Sequence, residues 1–271
     1  MRILITNDDG IYARGMWELA NILKQIGEVV ILAPDRGIPG QGAKVTIEGW
    51  IKIRSISPRL NGMDEMRCYS AEGTPSDCVI TALSAICNRN IDLVVSGINQ
   101  GANTGEDILI SGTVGAALQG YLQDVPSLAI SVDAAERFNY DAAAEVVLAL
   151  AKFMKAKMLS TKFLFNINVP NLPLNQIKDV AVTRLGRVTR CEAVECGTSG
   201  ESQYYSVVSS DMVPGTEKDT DAWALTNNMI SITPLALDGK LMITTEPPPF
   251  NLNWLVQAIR KELHVGAHIT G

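Results

Sequence analysis

Histidine is scarce. The 271-residue chain has two, His264 and His268, both within its last eight residues. That excludes catalysis through a central histidine unless the tail folds back into a site. The cysteines, Cys68, Cys78, Cys87, Cys191 and Cys196, form no C-x-x-C pair and are odd in number. Neither a zinc site nor a disulfide framework fits that pattern, and reduced cytoplasmic thiols are expected. No apolar run approaches the roughly 18 residues of a membrane helix. Arg2 is followed by only three apolar residues before Thr6, too few for a secretory signal. Positive charge is outnumbered, 23 Lys and Arg against 29 Asp and Glu, for a net −6. Nucleic-acid backbones and anionic membranes are therefore not expected partners. An anionic substrate would have to be met by a metal or by backbone dipoles. Repeats, low-complexity tracts and a Walker motif are absent. The glycine loop GIPGQG (37–42) is no dinucleotide fingerprint, which argues against an NAD-type oxidoreductase.

What is present is a β/α alternation. Hydrophobic residues make up 46% of the chain, enough for a large core. Residues 3–7 read as a buried strand. Residues 14–26 carry Met16, Leu19, Ala20, Leu23 and Ile26 at helical spacing, and 28–33 are a second buried strand. Residues 45–57 alternate and suggest edge strands with one wet face. GTPSDCVITALSAIC (73–87) opens a helix with Thr74 as cap and Pro75 at the first helical position. Strands are expected at 91–96, 126–132, 162–169 and 229–235, and helices at 113–122, 140–157 and 250–263. Near-continuous apolar strands predict an α/β fold with a doubly wound, mostly parallel, Rossmann-like sheet. The expected organisation is an α/β core at 1–177, a protruding β-hairpin arm at 178–213, a return to the core at 214–246, and a C-terminal helix and tail at 247–271.

Two features fall where such a sheet binds ligands, at the carboxyl ends of its strands. The first is Asn7-Asp8-Asp9-Gly10. An arbitrary NDDG is more often a helix cap beside a solvated carboxylate. Here it ends the first strand, and a turn loosened by Gly10 lets both carboxylates converge. Two unit charges about 4 Å apart cost roughly 4 kcal/mol at an effective dielectric of 20, and a divalent cation reverses that sign. Oxygen ligands favour Mg²⁺, Mn²⁺ or Ca²⁺ over zinc. The second is SGINQGANTGEDILISGTVG (96–115). Asn99 offers an amide oxygen. Ser111-Gly112-Thr113 opens a helix whose free N–H groups suit an anion such as phosphate, though ordinary capping is the commoner role of such residues. A hard cation beside an anion-binding helix start suggests metal-assisted phosphate ester hydrolysis.

ILITNDDGIYARG (3–15), APDR (33–36), EGTPSDCV (72–79), SGINQGAN (96–103), SGTVGAA (111–117), NINVP (166–170) and SITPL (231–235) stand in the order and spacing of one family. By them the chain resembles the survival protein SurE family of metal-dependent nucleotidases. The resemblance implies release of phosphate from nucleoside 5′- and 3′-monophosphates, with some action on short polyphosphate. It implies one Mg²⁺ or Mn²⁺ per subunit, with Ca²⁺ as a crystal substitute, held by Asp8, Asp9 and Asn99. Gly40, Ser111, Gly112 and Thr113 would lie by the phosphate, and Asn7, Gln41 and Asn103 in the substrate loops. It also implies a homodimer or homotetramer built through the arm and the C-terminal segment. One departure stands out. Where the family has a serine as fourth ligand, this chain has Pro39, which keeps only a backbone carbonyl. Water, that carbonyl or the Gln41 amide would have to replace the hydroxyl. A binding protein of the same fold that has lost turnover is the competing expectation.

Overall fold

The computed structural model describes residues 1–59, 65–159, 162–199, 202–214, 217–237, 243–244 and 251–266, with the backbone alone at 188–193, 199, 207–214, 237 and 243–244. In chain order the elements are β1 (Arg2–Thr6), α1 (Arg14–Leu23), β2 (Glu28–Pro34), β3 (Ile53–Ser55), β4 (Arg67–Ala71) and α2 (Pro75–Thr81), which runs on into a π turn at Ala82–Ile86. Next come β5 (Leu93–Gln100), a 3₁₀ turn (Gly105–Leu109), α3 (Gly112–Leu122), β6 (Ser127–Val132), α4 (Asp141–Lys155) and β7 (Leu164–Val169). The remainder comprises β8 (Asp179–Val182), β9 (Val188–Ser199), β10 (Ser202–Pro214), α5 (Asp221–Thr226), β11 (Met229–Leu237), β12 (Ile243–Thr244) and α6 (Leu252–Leu263).

The main sheet runs β12-β11-β7-β6-β5-β1-β2-β4-β3, with β8 alongside β11. From β4 to β7 every neighbouring pair is parallel. The edge strands β3, β11 and β12 run antiparallel to their neighbours β4, β7 and β11. The six parallel strands thus follow the doubly wound order, and the winding reverses between β1 and β5. At that reversal the two crossovers leave in opposite directions and open a crevice at the strand ends. Alternation within the strands explains the two covered faces. Ile3 and Ile5 of β1 join α1, α4 and α6 in one core, while Leu4 joins α2 and α3 in another.

Three expectations change. Of 45–57 only Ile53–Ser55 pairs as a strand. The stretch before it is tied to the start of α2 instead: Thr46 donates its N–H and its hydroxyl to the Asp77 carboxylate, and Thr74 donates to the Lys44 carbonyl. The hairpin arm begins at Val188, not at 178, because β8 runs parallel to β11 in the main sheet. Among the described residues β9 and β10 pair only with each other. Finally, α6 packs on its own chain: Leu255, Val256, Ile259 and Leu263 are buried in the core, and Arg260 clasps the Asp179 carboxylate at 2.5 and 2.8 Å. Any exchanged C-terminal residues at 247–250 or 267–271 lie outside the described ones. β4 and α5 are additions that hydrophobic patterning did not predict.

Candidate active site

β1 delivers Asp8 and Asp9 into the crevice, and Asn7 shapes their turn. The Asn7 amide donates to the Gly10 carbonyl and accepts the Gly10 N–H, both at 3.1 Å. Asn7 is fully buried and engages both ends of its amide within the turn, so it braces the aspartates. Gly10 takes φ +95°, and a Cβ there would stand 2.7 Å from the carbonyl carbon of Arg36. The loop after β2 is therefore pressed against the aspartate turn. The Ile38 N–H donates to the Asp8 carbonyl at 2.9 Å, and the Gly42 N–H to the Ile110 carbonyl at 2.9 Å.

The Asp8 side chain is nearly buried and sits on the first turn of α3. Its Oδ1 accepts the Thr113 hydroxyl at 2.5 Å, and a Cβ on Gly112 would come within 2.8 Å of its Oδ2. Burial pushes its carboxyl above the ordinary range, while the Thr113 hydroxyl and the amides of Gly112 and Thr113 pull it back. Asp9 is raised to about 6 by burial and then by the charge of Asp8, against the Gln100 N–H that faces it. Its Oδ2 is buried and has no hydrogen-bond partner among the described residues.

Asn99 lies near the end of β5, next to Gln100, whose N–H faces Asp9. The β5–β6 register shifts between Ser96 and Asn99, which re-aims the strand end. The Asn99 Nδ2 donates to the Gly101 carbonyl at 2.8 Å, which leaves Oδ1 as the end presented elsewhere. Asn103 is anchored below. Its N–H donates to Asn168, its amide to Ser131, and its carbonyl accepts from both Asn166 and Asn168. Ser111 caps α3 by accepting the Val114 N–H at 3.1 Å. Pro39 and Gly40 are exposed at the tip of the 36–42 loop. Gln41 lines a cleft of about 550 Å³ behind that loop, together with Arg36, Lys44, Thr46 and Thr74.

The crevice thus gathers Asp8, Asp9, Asn99 and the 111–113 helix start, with the 36–42 loop as a wall. Asn7 and Asn103 are braces beneath it. His264 ends α6 on the α4 side of the sheet and takes no part. Gln100, whose amide donates to the Tyr140 hydroxyl at 2.5 Å, was missed by sequence reasoning. So was Asp221; no spacing rule points to it. The ligand atoms these residues offer, two carboxylates and an amide carbonyl, are all oxygen. The orphaned Asp9 Oδ2 beside the Asp8 charge is a cost that a hard cation would remove, so these residues fit a Mg²⁺ or Mn²⁺ ion.

A doubly wound α/β sheet with a carboxylate pair and a helix start at its switch point defines a class of phosphate-handling proteins. Within it, the model of the family described as Survival protein SurE matches residues 3–192, and this chain belongs to that family. It is 44% identical to the 5'-nucleotidase SurE of Dehalococcoides mccartyi over 93% of both chains. It is 38% identical to the 5'-nucleotidase SurE of Nitrosomonas eutropha, over 94% of this chain and all of that one. The crystal structure of the SurE protein from Aquifex aeolicus superposes with a TM-score of 0.73 at 32% identity, covering 96% of this chain and 99% of that one.

Proposed function

We propose that this chain is a metal-dependent phosphomonoester hydrolase that releases phosphate from nucleoside 5′- and 3′-monophosphates, with short polyphosphate as a further substrate. The observation that carries the reading is the Asp8–Asp9 pair at the sheet's switch point, one carboxylate seated on a helix start and the other with a buried, unpartnered oxygen. Relatives named as 5'-nucleotidases support the substrate class. Asp8, Asp9 and the Asn99 Oδ1 would hold one Mg²⁺ or Mn²⁺, which when bound polarises a phosphoryl oxygen and acidifies a water. Thr113 fixes the Asp8 rotamer through Oδ1. The Ser111 oxygen is engaged as a cap, so its proton is free to meet an outer phosphate oxygen, and the start of α3 adds the positive end of its dipole. Gly40 would border the phosphate from the facing loop, and Gln41 would meet the substrate from the cleft behind it.

Pro39 brings no hydroxyl to this constellation, which favours the second reading, a nucleotide-binding protein without turnover. One assay separates them. The protein is incubated with AMP and Mn²⁺ or Mg²⁺, and released phosphate is measured with and without EDTA. Chelator-sensitive release that falls at least about 100-fold in Asp8→Asn is expected. AMP binding without release under either metal would establish the second reading. The arm supports a homodimer or homotetramer of cytoplasmic subunits: Val194, Tyr204 and Tyr205 on it are exposed apolar side chains. Among the described residues no helix is long and apolar enough to cross a membrane.

A further inference from the structure

Asp221 opens α5, far in sequence from the catalytic segments, yet it is fully buried between one of them and the root of the hairpin arm. Its Oδ2 accepts the Gly105 N–H at 2.8 Å, and its Oδ1 accepts the Gly186 N–H at 2.8 Å and the Ala222 N–H at 2.9 Å. These bonds join different parts of the machine. Gly105 begins the 3₁₀ turn that runs from the Asn99–Asn103 loop to the Ser111 cap of α3. Gly186 stands two residues before β9, at the root of the arm. That root is laced to the start of α5 by the backbone as well: Arg184 N–H to the Asp219 carbonyl and Asp221 N–H to the Arg184 carbonyl, both at 3.0 Å. The contact is tight, since a Cβ on Gly186 would stand 3.1 Å from the Asp221 Oδ1 and 3.2 Å from the Thr220 Cβ.

A buried carboxylate with three N–H donors holds its partners firmly, because losing any one of them strands a charge or a donor in the interior. We infer that Asp221 is a positioning residue, a staple through which the root of the hairpin arm sets the place of the segment carrying Asn99 and the phosphate-facing helix start. The inference rests on the roles given to that segment under the proposed function. It adds that occupancy of the metal site is coupled to how the arm is seated, so that a partner holding the arm in a second copy of the chain also tunes the site.

The test measures Mn²⁺ affinity by the free-ion EPR signal, kcat and KM for AMP, and amide hydrogen exchange, on the intact chain. Asp221→Asn leaves one glycine N–H without its acceptor. It is expected to weaken Mn²⁺ binding about 10-fold, the low end for outer-shell residues, and to expose the Gly105 and Gly186 amides to exchange together. Gly186→Ala pushes on the same carboxylate from the arm side and keeps its chemistry. It is expected to weaken Mn²⁺ binding in the same direction, and it serves if Asp221→Asn does not fold. Thr183→Val is the control: its hydroxyl is also buried, is bonded to Ser231 and Thr233, and among the described residues makes no hydrogen bond to 99–113. Wild-type Mn²⁺ affinity in both Asp221→Asn and Gly186→Ala overturns the inference. So does an equal loss in Thr183→Val, which would mark the effect as general destabilisation. Failure of the underlying reading looks different: the wild-type chain then neither binds Mn²⁺ nor releases phosphate, and the positioning role falls with it.

Discussion

Asp8 and Asp9 illustrate a site that costs stability until it is filled. In the metal-free protein burial raises both carboxyls above the ordinary 3.8, Asp9 to about 6. Between those values the folded chain binds more protons than the unfolded one, so stability present below about pH 4 is lost as pH rises through 6. Replacing Asp9 by Asn removes that penalty. The metal-free variant is expected to be more stable than wild type by about 3 kcal/mol at neutral pH, with the gap closing below about pH 4, as read by urea unfolding at several pH values. Saturating Mn²⁺ should reverse the order, because only the wild type gains binding free energy, about 4.1 kcal/mol at 1,000 times Kd. A variant less stable than wild type in EDTA at neutral pH would contradict this account. Pro39 is the other residue whose chemistry is decisive. It sits at the exposed tip of the loop whose Ile38 N–H bonds to Asp8. Pro39→Ser restores a hydroxyl there and is expected to tighten Mn²⁺ binding several-fold. Unchanged or weaker binding by calorimetry would show that the loop already supplies another ligand.

At the scale of elements, the site depends on how closely α3 and the 36–42 loop approach. A Cβ on Gly115 would stand 2.3 Å from the Gly42 carbonyl oxygen. Alanine in a helix is ordinarily worth about 1 kcal/mol over glycine; here the sign should invert. Gly115→Ala is expected to cost 1–3 kcal/mol, the usual range for overpacking, and to weaken Mn²⁺ binding as the loop withdraws. A raised melting temperature would refute that close approach. The same elements show how far sequence reading reaches. The strands from β1 to β7 that are buried on both faces were legible because they are near-continuous apolar runs. β4 was not: Arg67 and Tyr69 interrupt the pattern, and β4 is a strand only because β2 and β3 flank it. β8 reads like part of the arm, since nothing local states that its partner is β11 some fifty residues on. Asp8, Asp9 and Asn99 could be picked out because each ends a recognisable strand. Asp221 could not, because its Gly105 partner lies 116 residues away.

The molecule as a whole is a packed α/β body carrying a hairpin that, among the described residues, pairs only with itself. A lone two-stranded hairpin is marginal in water, and this one exposes Val194, Tyr204 and Tyr205, so its order is best explained by what it docks against. Its geometry permits a clean excision. Val188 pairs with Pro214 and Thr189 with Val213 across the base, so cutting out 189–213 leaves Val188 and Pro214 as chain ends about 5 Å apart, a gap that a two-residue Gly-containing turn closes. The core strands, the aspartate turn and the Asp221 bonds to Gly105 and Gly186 all remain. The excised protein is expected to keep its circular dichroism and a cooperative unfolding transition while its mass by light scattering drops to that of one chain; the intact protein should run as a dimer or tetramer. Equal subunit numbers before and after excision would move the interface elsewhere, and a monomeric intact protein would leave the hairpin's exposed side chains without an oligomeric role.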